Sequence, residues 1–194
     1  MQFRSFVFLT ALSVAVGASG VAPVRGGPAE YLDENTGATI TAVEQPLVFA
    51  VERNDVAANL RDYVTLAAAA VNRSGKIQYL LIAYQWSTLD ARTLGNVVPE
   101  ELPLVLAADD RRIRLSADGR TPHDLGVDRL IHPPPNVRAV PIVVVTDLGT
   151  LRFIAAARRL SILADPDPAA PRYELWEDRR PAWSAFVRFL NGEQ

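Results

Sequence analysis

The chain has 194 residues, room for one domain of ordinary size, and its 49% hydrophobic content excludes wholesale disorder. Its formal charge is −2, Lys76 is the sole lysine, and the arginines form no basic stripe, which argues against a nucleic-acid binder. The absence of cysteine excludes disulfides, thiolate catalysis, Cys-based zinc sites, iron–sulfur clusters and lipid attachment through an N-terminal cysteine.

Met1 to Arg4 carries one positive charge, Phe6 to Val16 is an uncharged apolar run, and Gly17 to Gly20 are small. This is the three-part layout of a secretory signal peptide, residues 1–18. The run of about 11 residues is shorter than the roughly 20 needed to span a bilayer. Cleavage is expected after Ala18, with Gly20 as the alternative, and an uncleaved anchor helix is the competing reading. No later apolar stretch is long enough to span, so a mature chain without a transmembrane segment, periplasmic or secreted, is expected. Residues 19–30, rich in Gly, Pro and Ala, read as a flexible leader. Residues 31–194 read as a single β-rich domain.

Thr36-Gly37 turns into a strand at about 38–44, and Pro46 opens a second at 47–51. Residues 62–71 carry four alanines that favour helix, but Tyr63, Val64, Thr65 and Val71 favour strand. The loop Asn72–Lys76, with Gly75 near its end, decides for a hairpin into a strand over 77–88. That strand is apolar on both faces: Ile77, Tyr79, Leu81 and Ala83 on one, Leu80, Ile82, Tyr84 and Trp86 on the other. Something must therefore cover each face.

A second hairpin, 102–107 with 112–117, surrounds Asp109-Asp110, and Asp118-Gly119 is a turn. His132–Asn136 is a stiff proline loop before a β-branched run at 137–145. Thr146 or Asp147 caps a helix to about Arg158, with Leu148, Leu151, Ile154 and Ala155 as its apolar stripe. Arg158-Arg159 are expected at the negative end of its dipole. Strands at 160–164 and 173–177 follow, with Asp165–Pro168 as a loop between them. Pro181 opens a last helix with Trp183, Phe186, Val187 and Leu190 on one face, ended by Gly192. The fold class expected is mainly β (α+β): an antiparallel sheet or β-sandwich with two C-terminal amphipathic helices, which are candidates to cover Tyr84 and Trp86.

No catalytic, metal or cofactor motif stands out. His123 and His132, with Asp124 and Asp128 nearby, match no metal-ligand spacing and read as exposed loop residues. There is no Gly-x-Ser-x-Gly elbow, and Ser87 and Ser116 are strand serines without a partner. The acid pairs Asp33-Glu34, Asp109-Asp110 and Asp165/Asp167 read as solvated turns, and no phosphate-binding loop is present. The Arg111-Arg112, Arg158-Arg159 and Arg179-Arg180 pairs read as solvated surface. Among the aromatics, Tyr79, Tyr84, Trp86, Tyr173, Trp176 and Trp183, core filling is favoured over ligand stacking.

Tyr31–Thr39, Pro46–Ala50, Ala57–Val64 and Val71–Gly75, with the later Tyr173–Trp176, resemble a group of uncharacterised exported proteins of proteobacteria. The resemblance is clearest over residues 31–90. Many such proteins look like lipoproteins, with a cysteine at the cleavage site, and this chain departs there. The resemblance implies export and assigns no functional residue.

The expected function is a periplasmic, non-enzymatic interaction or structural module of the cell envelope, without a cofactor. Its partner would be an envelope protein or polymer, with Tyr84 and Trp86 as the candidate binding residues. The alternative is a hydrolase acting on glycan or peptidoglycan through Asp/Glu residues, assisted by His123 or His132.

Overall fold

The structure is a computed structural model that describes residues 27–54, 60–88, 103–116, 119–134, 141–164 and 172–193. The signal segment, most of the leader, Asp118, the start of the 137–145 run and the Asp165–Pro168 loop lie outside these residues.

The described residues form β1 (Ala29–Asp33), β2 (Ala38–Ala42), β3 (Leu47–Glu52), β4 (Arg61–Arg73), β5 (Lys76–Ser87), β6 (Leu104–Ala108), β7 (Arg111–Leu115), β8 (Ile142–Thr146), α1 (Leu148–Ala156), β9 (Leu160–Ala164), β10 (Arg172–Glu177) and α2 (Arg180–Leu190). β1 begins inside the last residues expected as leader, because Asp33 and the turn after it fold the chain back on β2.

The β4–β5 hairpin is the central beam. Its loop is the two residues Ser74 and Gly75, at φ +50° and +84°, between the paired Arg73 and Lys76. Two successive positive φ values match the twist of the flanking strands, and Gly75 takes its value without steric cost. The four alanines, Ala67 to Ala70, lie inside β4, buried on both faces. Small side chains let covering layers approach closely, and that tertiary burial overrides their helix propensity.

β2 and β3 lie end to end along the same edge of β4, β3 against Arg61–Leu66 and β2 against Ala69–Asn72. Between them the Val43 N–H donates to the Ala68 carbonyl at 2.9 Å, so the break does not leave β4 unpaired. β1 continues the sheet beyond β2. Beyond β3 follow β10, β9, β6 and β7, while β8 pairs the far edge of β5. Every pairing is antiparallel, and β7 comes beside β8, so the sheet is curled. Of the two architectures expected, this is the single sheet.

Paired residues share a face. On the concave face, Leu47, Phe49, Val64, Leu66, Leu81, Ile142, Leu104, Leu106, Leu160 and Ile162 join one apolar core. The helices close it. Asp147 caps α1 by accepting the Thr150 N–H at 2.9 Å, and Leu151 and Ile154 are buried. α1 ends at Ala156, because Ala157 is already extended. Arg158-Arg159 therefore lie past the helix, not in its last turn. Their backbone N–H groups meet the Asp109 carboxylate at 2.9–3.1 Å instead. α2 buries Trp183, Phe186 and Val187 and ends before Gly192 at φ +73°. Arg180 donates to the Ala157 and Arg158 carbonyls, and Arg152 reaches Asn191, so α1 and α2 run antiparallel. Neither described helix is long and apolar enough to cross a membrane.

Candidate functional site

The convex face of the β4–β5 hairpin carries Val71, Ala69, Ala67, Thr65 and Tyr63 from β4, opposite Gln78, Leu80, Ile82, Tyr84 and Trp86 from β5. The helices were expected as the cover for Tyr84 and Trp86; at Tyr84 it is the Ile131 backbone that approaches the hydroxyl. The irregular segment 121–134 covers the hairpin up to Tyr84, and Trp86 lies beyond it.

That segment is held by β1 and β2. Asp33 is buried, and its Oδ1 accepts the Asn35 and Thr36 N–H groups at 3.2 and 3.1 Å. Its Oδ2 accepts the Asp128 N–H at 2.8 Å and, more weakly, that of Arg129 at 3.4 Å. Those bonds, the one from Asp128 foremost, hold the Asp33 carboxyl below its ordinary pKa. Thr36 Oγ1 donates to the Gly126 carbonyl at 3.0 Å, and Asn35 reaches the Asp128 carboxylate. Gly126, at φ +89°, lies so close to β4 that a Cβ would meet Val71 Cγ1 at 2.9 Å. Farther along, His132 Nε2 donates to the Val43 carbonyl at 2.7 Å, at the break between β2 and β3.

Leu125, Val127 and Ile131 are thereby buried, and so is all of Tyr84. Burial pushes the Tyr84 hydroxyl up to about 12. The Ile131 N–H approaches that hydroxyl and offsets a little of the rise without reaching hydrogen-bond geometry. Tyr84 is therefore a core residue, not a contact residue.

Beyond Tyr84 the face opens. Trp86 stacks on Tyr63 with centroids 4.2 Å apart and planes 12° apart. That separation is close to the strand spacing of about 4.8 Å, so the two rings stand side by side on neighbouring strands. Such a pair contributes about 0.5–1.5 kcal/mol beyond its buried area. Trp86 Nε1 donates to Thr65 Oγ1 at 2.9 Å, which fixes the indole against β4. The Tyr63 hydroxyl favours the charged form of Arg61, whose guanidinium lies 4.7 Å from the Trp176 ring centroid. Arg61 also bonds Glu52 at 3.0 Å. Each partner moves the other's pKa outward, so both stay charged.

Trp176 reaches this row because β10 has a bulge there: Leu175 pairs Phe49 and Glu177 pairs Val48, leaving Trp176 as the extra residue. A bulge re-aims a side chain, and this one leaves Trp176 54% exposed. The result is a ledge, Trp86–Tyr63–Arg61–Trp176, flanked by Glu52, Glu174 and Glu177. Trp86, one of the two candidate binding residues, stands on this ledge. Arg61, Tyr63 and the open position of Trp176 were not anticipated. Tyr173 and Trp183 are core residues, Tyr173 with its hydroxyl pushed up to about 12 by burial.

The other residues with chemical potential sit apart from the ledge. Asp33 and Asp109 are not merely solvated turn acids: both carboxylates are saturated by backbone N–H groups and held ionised. The carboxyls of Asp33, Glu52, Asp109, Asp124, Asp147 and Asp178 are all held below their ordinary pKa by the N–H, O–H and guanidinium donors around them, the opposite of what a general acid requires. His123 is an exposed loop residue beside Asp128 at 3.2 Å, as expected, whereas His132 is half-buried and structural. Ser87 Oγ donates weakly to the Arg61 carbonyl at 3.4 Å. No group of three or more metal-ligating side chains is gathered among the described residues.

No protein-family model, no curated protein and no solved structure matches this chain.

Proposed function

We propose that the chain is an exported, non-enzymatic interaction module of the cell envelope, periplasmic or secreted after removal of residues 1–18, and that the Trp86–Tyr63–Arg61–Trp176 ledge is its contact surface. The observation that carries this reading is Trp176: a bulge lifts it from β10 and a guanidinium braces one face of the ring, while half of it is open to solvent. A large aromatic held rigid before contact loses little freedom on binding, which is how anchor residues gain affinity. The partner that suits the ledge is an envelope polymer rich in hydroxyls. Its apolar faces would lie against the open indole, while Glu52, Glu174, Glu177 and Arg61 offer acceptors and a donor at the rim.

The test is co-sedimentation of the chain with isolated peptidoglycan. Wild type is expected to sediment with it, and Trp176→Ala to weaken the association by about tenfold or more, as for an anchor worth over ~1.4 kcal/mol. Thermal stability should be nearly unchanged. Failure of the wild-type chain to bind, or full binding by both Trp176→Ala and Trp86→Ala, would overturn the assignment.

A further inference from the structure

Asn191-Gly192 is the one Asn-Gly pair in the chain, and it stands where α2 ends. Such a pair carries its own chemistry. Once the glycine backbone nitrogen gives up its proton to base, it can attack Cγ of the asparagine side chain. A five-membered ring closes, the Cγ–Nδ2 bond breaks, and ammonia leaves, Nδ2 having taken up a proton from water. Water then opens the ring at either carbonyl, leaving aspartate or its β-linked isomer. Nothing is oxidised or reduced, and water is the only co-reactant. Glycine, with no Cβ, leaves the attacking nitrogen uncrowded.

The structure engages both reacting groups elsewhere. Asn191 keeps helical angles, φ −83° and ψ −4°, so the next nitrogen points back along the helix: the Gly192 N–H donates to the Phe189 carbonyl at 3.0 Å. The Asn191 and Glu193 N–H groups both reach the Arg188 carbonyl at 3.0 Å, and Gly192, at φ +73°, completes the cap. The side chain is held from the other helix. Arg152, exposed on α1, donates to Asn191 Oδ1. Gly192 and Glu193 are exposed, so base and water reach the cap whenever it opens. The last turn of a helix opens more readily than its middle.

We propose that Asn191 is a deamidation site and that Arg152 is the residue that restrains it. Ring closure needs the Gly192 nitrogen released from Phe189 and the amide turned towards it. The reaction therefore runs only from the opened cap, at a rate set by the population of that state. The guanidinium also draws electrons from the amide, but that activation counts only once the amide has turned, and the same bond opposes the turn. The direct product fits the place it is made. A carboxylate at the negative end of a helix dipole is unfavourable by itself, and Arg152 offsets it. The aspartate form makes the chain one unit more negative and replaces a neutral contact between α1 and α2 with a charge-assisted one. The β-linked form lengthens the backbone inside the cap and displaces the Glu193 bond.

The test incubates the full chain in mild alkali over days, digests it with trypsin, and follows by mass spectrometry the peptide that begins at Phe189, with its asparagine, aspartate and β-linked forms separated. A synthetic peptide of residues 188–193 gives the unrestrained rate. Both products are expected in wild type, accumulating at least about tenfold more slowly than in the peptide, because the cap is mostly closed. Arg152→Ala should speed the wild-type reaction about fivefold, the effect of one modest hydrogen bond. Arg152→Lys, which keeps one donor, should fall between them. Circular dichroism checks the helices, and Arg152→Lys carries the comparison should Arg152→Ala unfold. Hydrogen exchange at the Gly192 N–H reads the opening directly in wild type and should be slower than in the peptide. A wild-type rate equal to the peptide's, the absence of product in Arg152→Ala, or an unchanged or slower reaction in that variant would overturn the proposal.

Discussion

Replacing Asp33 by alanine should detach the segment 121–134 from the face it covers. Asp33 accepts three backbone N–H groups at 2.8–3.2 Å and a fourth at 3.4 Å, from two stretches of chain more than ninety residues apart. Each buried donor left without an acceptor costs about 1–3 kcal/mol, and water reaching the turn offsets part of that. The expected net loss is about 2–4 kcal/mol. With a urea m-value of about 2 kcal/mol/M, the unfolding midpoint should fall by roughly 1–2 M. Asp33→Asn keeps one acceptor and turns an N–H against the other donors, so it should lie between alanine and wild type. The carboxylate also gives the loss a pH signature. Its pKa in the folded chain is below the ordinary 3.8, so its stabilisation is complete above that value and disappears as pH falls through the lower folded value. The gap between wild type and Asp33→Asn should therefore be constant near neutrality and close only in acid. An alanine variant within about 0.5 kcal/mol of wild type at pH 7, the scatter of an ordinary surface substitution, would refute the reasoning.

Gly126→Ala should cost about 2–4 kcal/mol, from a positive φ and from a Cβ driven into Val71, read as a drop in urea midpoint. Tyr84→Phe removes a buried hydroxyl that has no hydrogen-bond partner, so stability should stay level or rise; a loss above ~1.5 kcal/mol would mean the hydroxyl is satisfied in solution. With Trp176→Phe and Trp183→Phe, the remaining Trp86 should emit between the buried and exposed extremes and be quenched only in part, because Tyr63 covers one face of it.

The hairpin was legible because two signals agreed. Ser74-Gly75 supplies the turn, and the alternation from Ile77 to Trp86 shows that both faces are covered. The expected loop, Asn72–Lys76, was too long: Asn72, Arg73 and Lys76 are paired, and only the observed two-residue turn sets the register that puts Tyr63 opposite Trp86. The cover itself was not legible. Residues 121–134 have no periodicity, and what fixes them is one carboxylate meeting backbone groups ninety-five residues later. Asp33 in isolation looks like any turn acid. Trp176 was misjudged for a similar reason. Its neighbours alternate as a strand should, and only the register against β3 shows an extra residue lifting it outward. The meeting of Arg152 with Asn191 depends on helix packing, and nothing in their spacing along the chain announces it.

The pairing of β10 with β3 has a consequence for a chain that is made from its N-terminus. The edge of β3 finds its partner only when residues 172–177 emerge, more than a hundred residues after β3 itself. Until then β3, β4 and β5 can assemble locally around their two-residue turn but present an open row of N–H and C=O groups. Such an edge invites pairing with other chains. Truncations before Arg172 should therefore aggregate rather than fold. A chaperone that shields nascent strands would matter most during the interval between completion of the hairpin and arrival of β10.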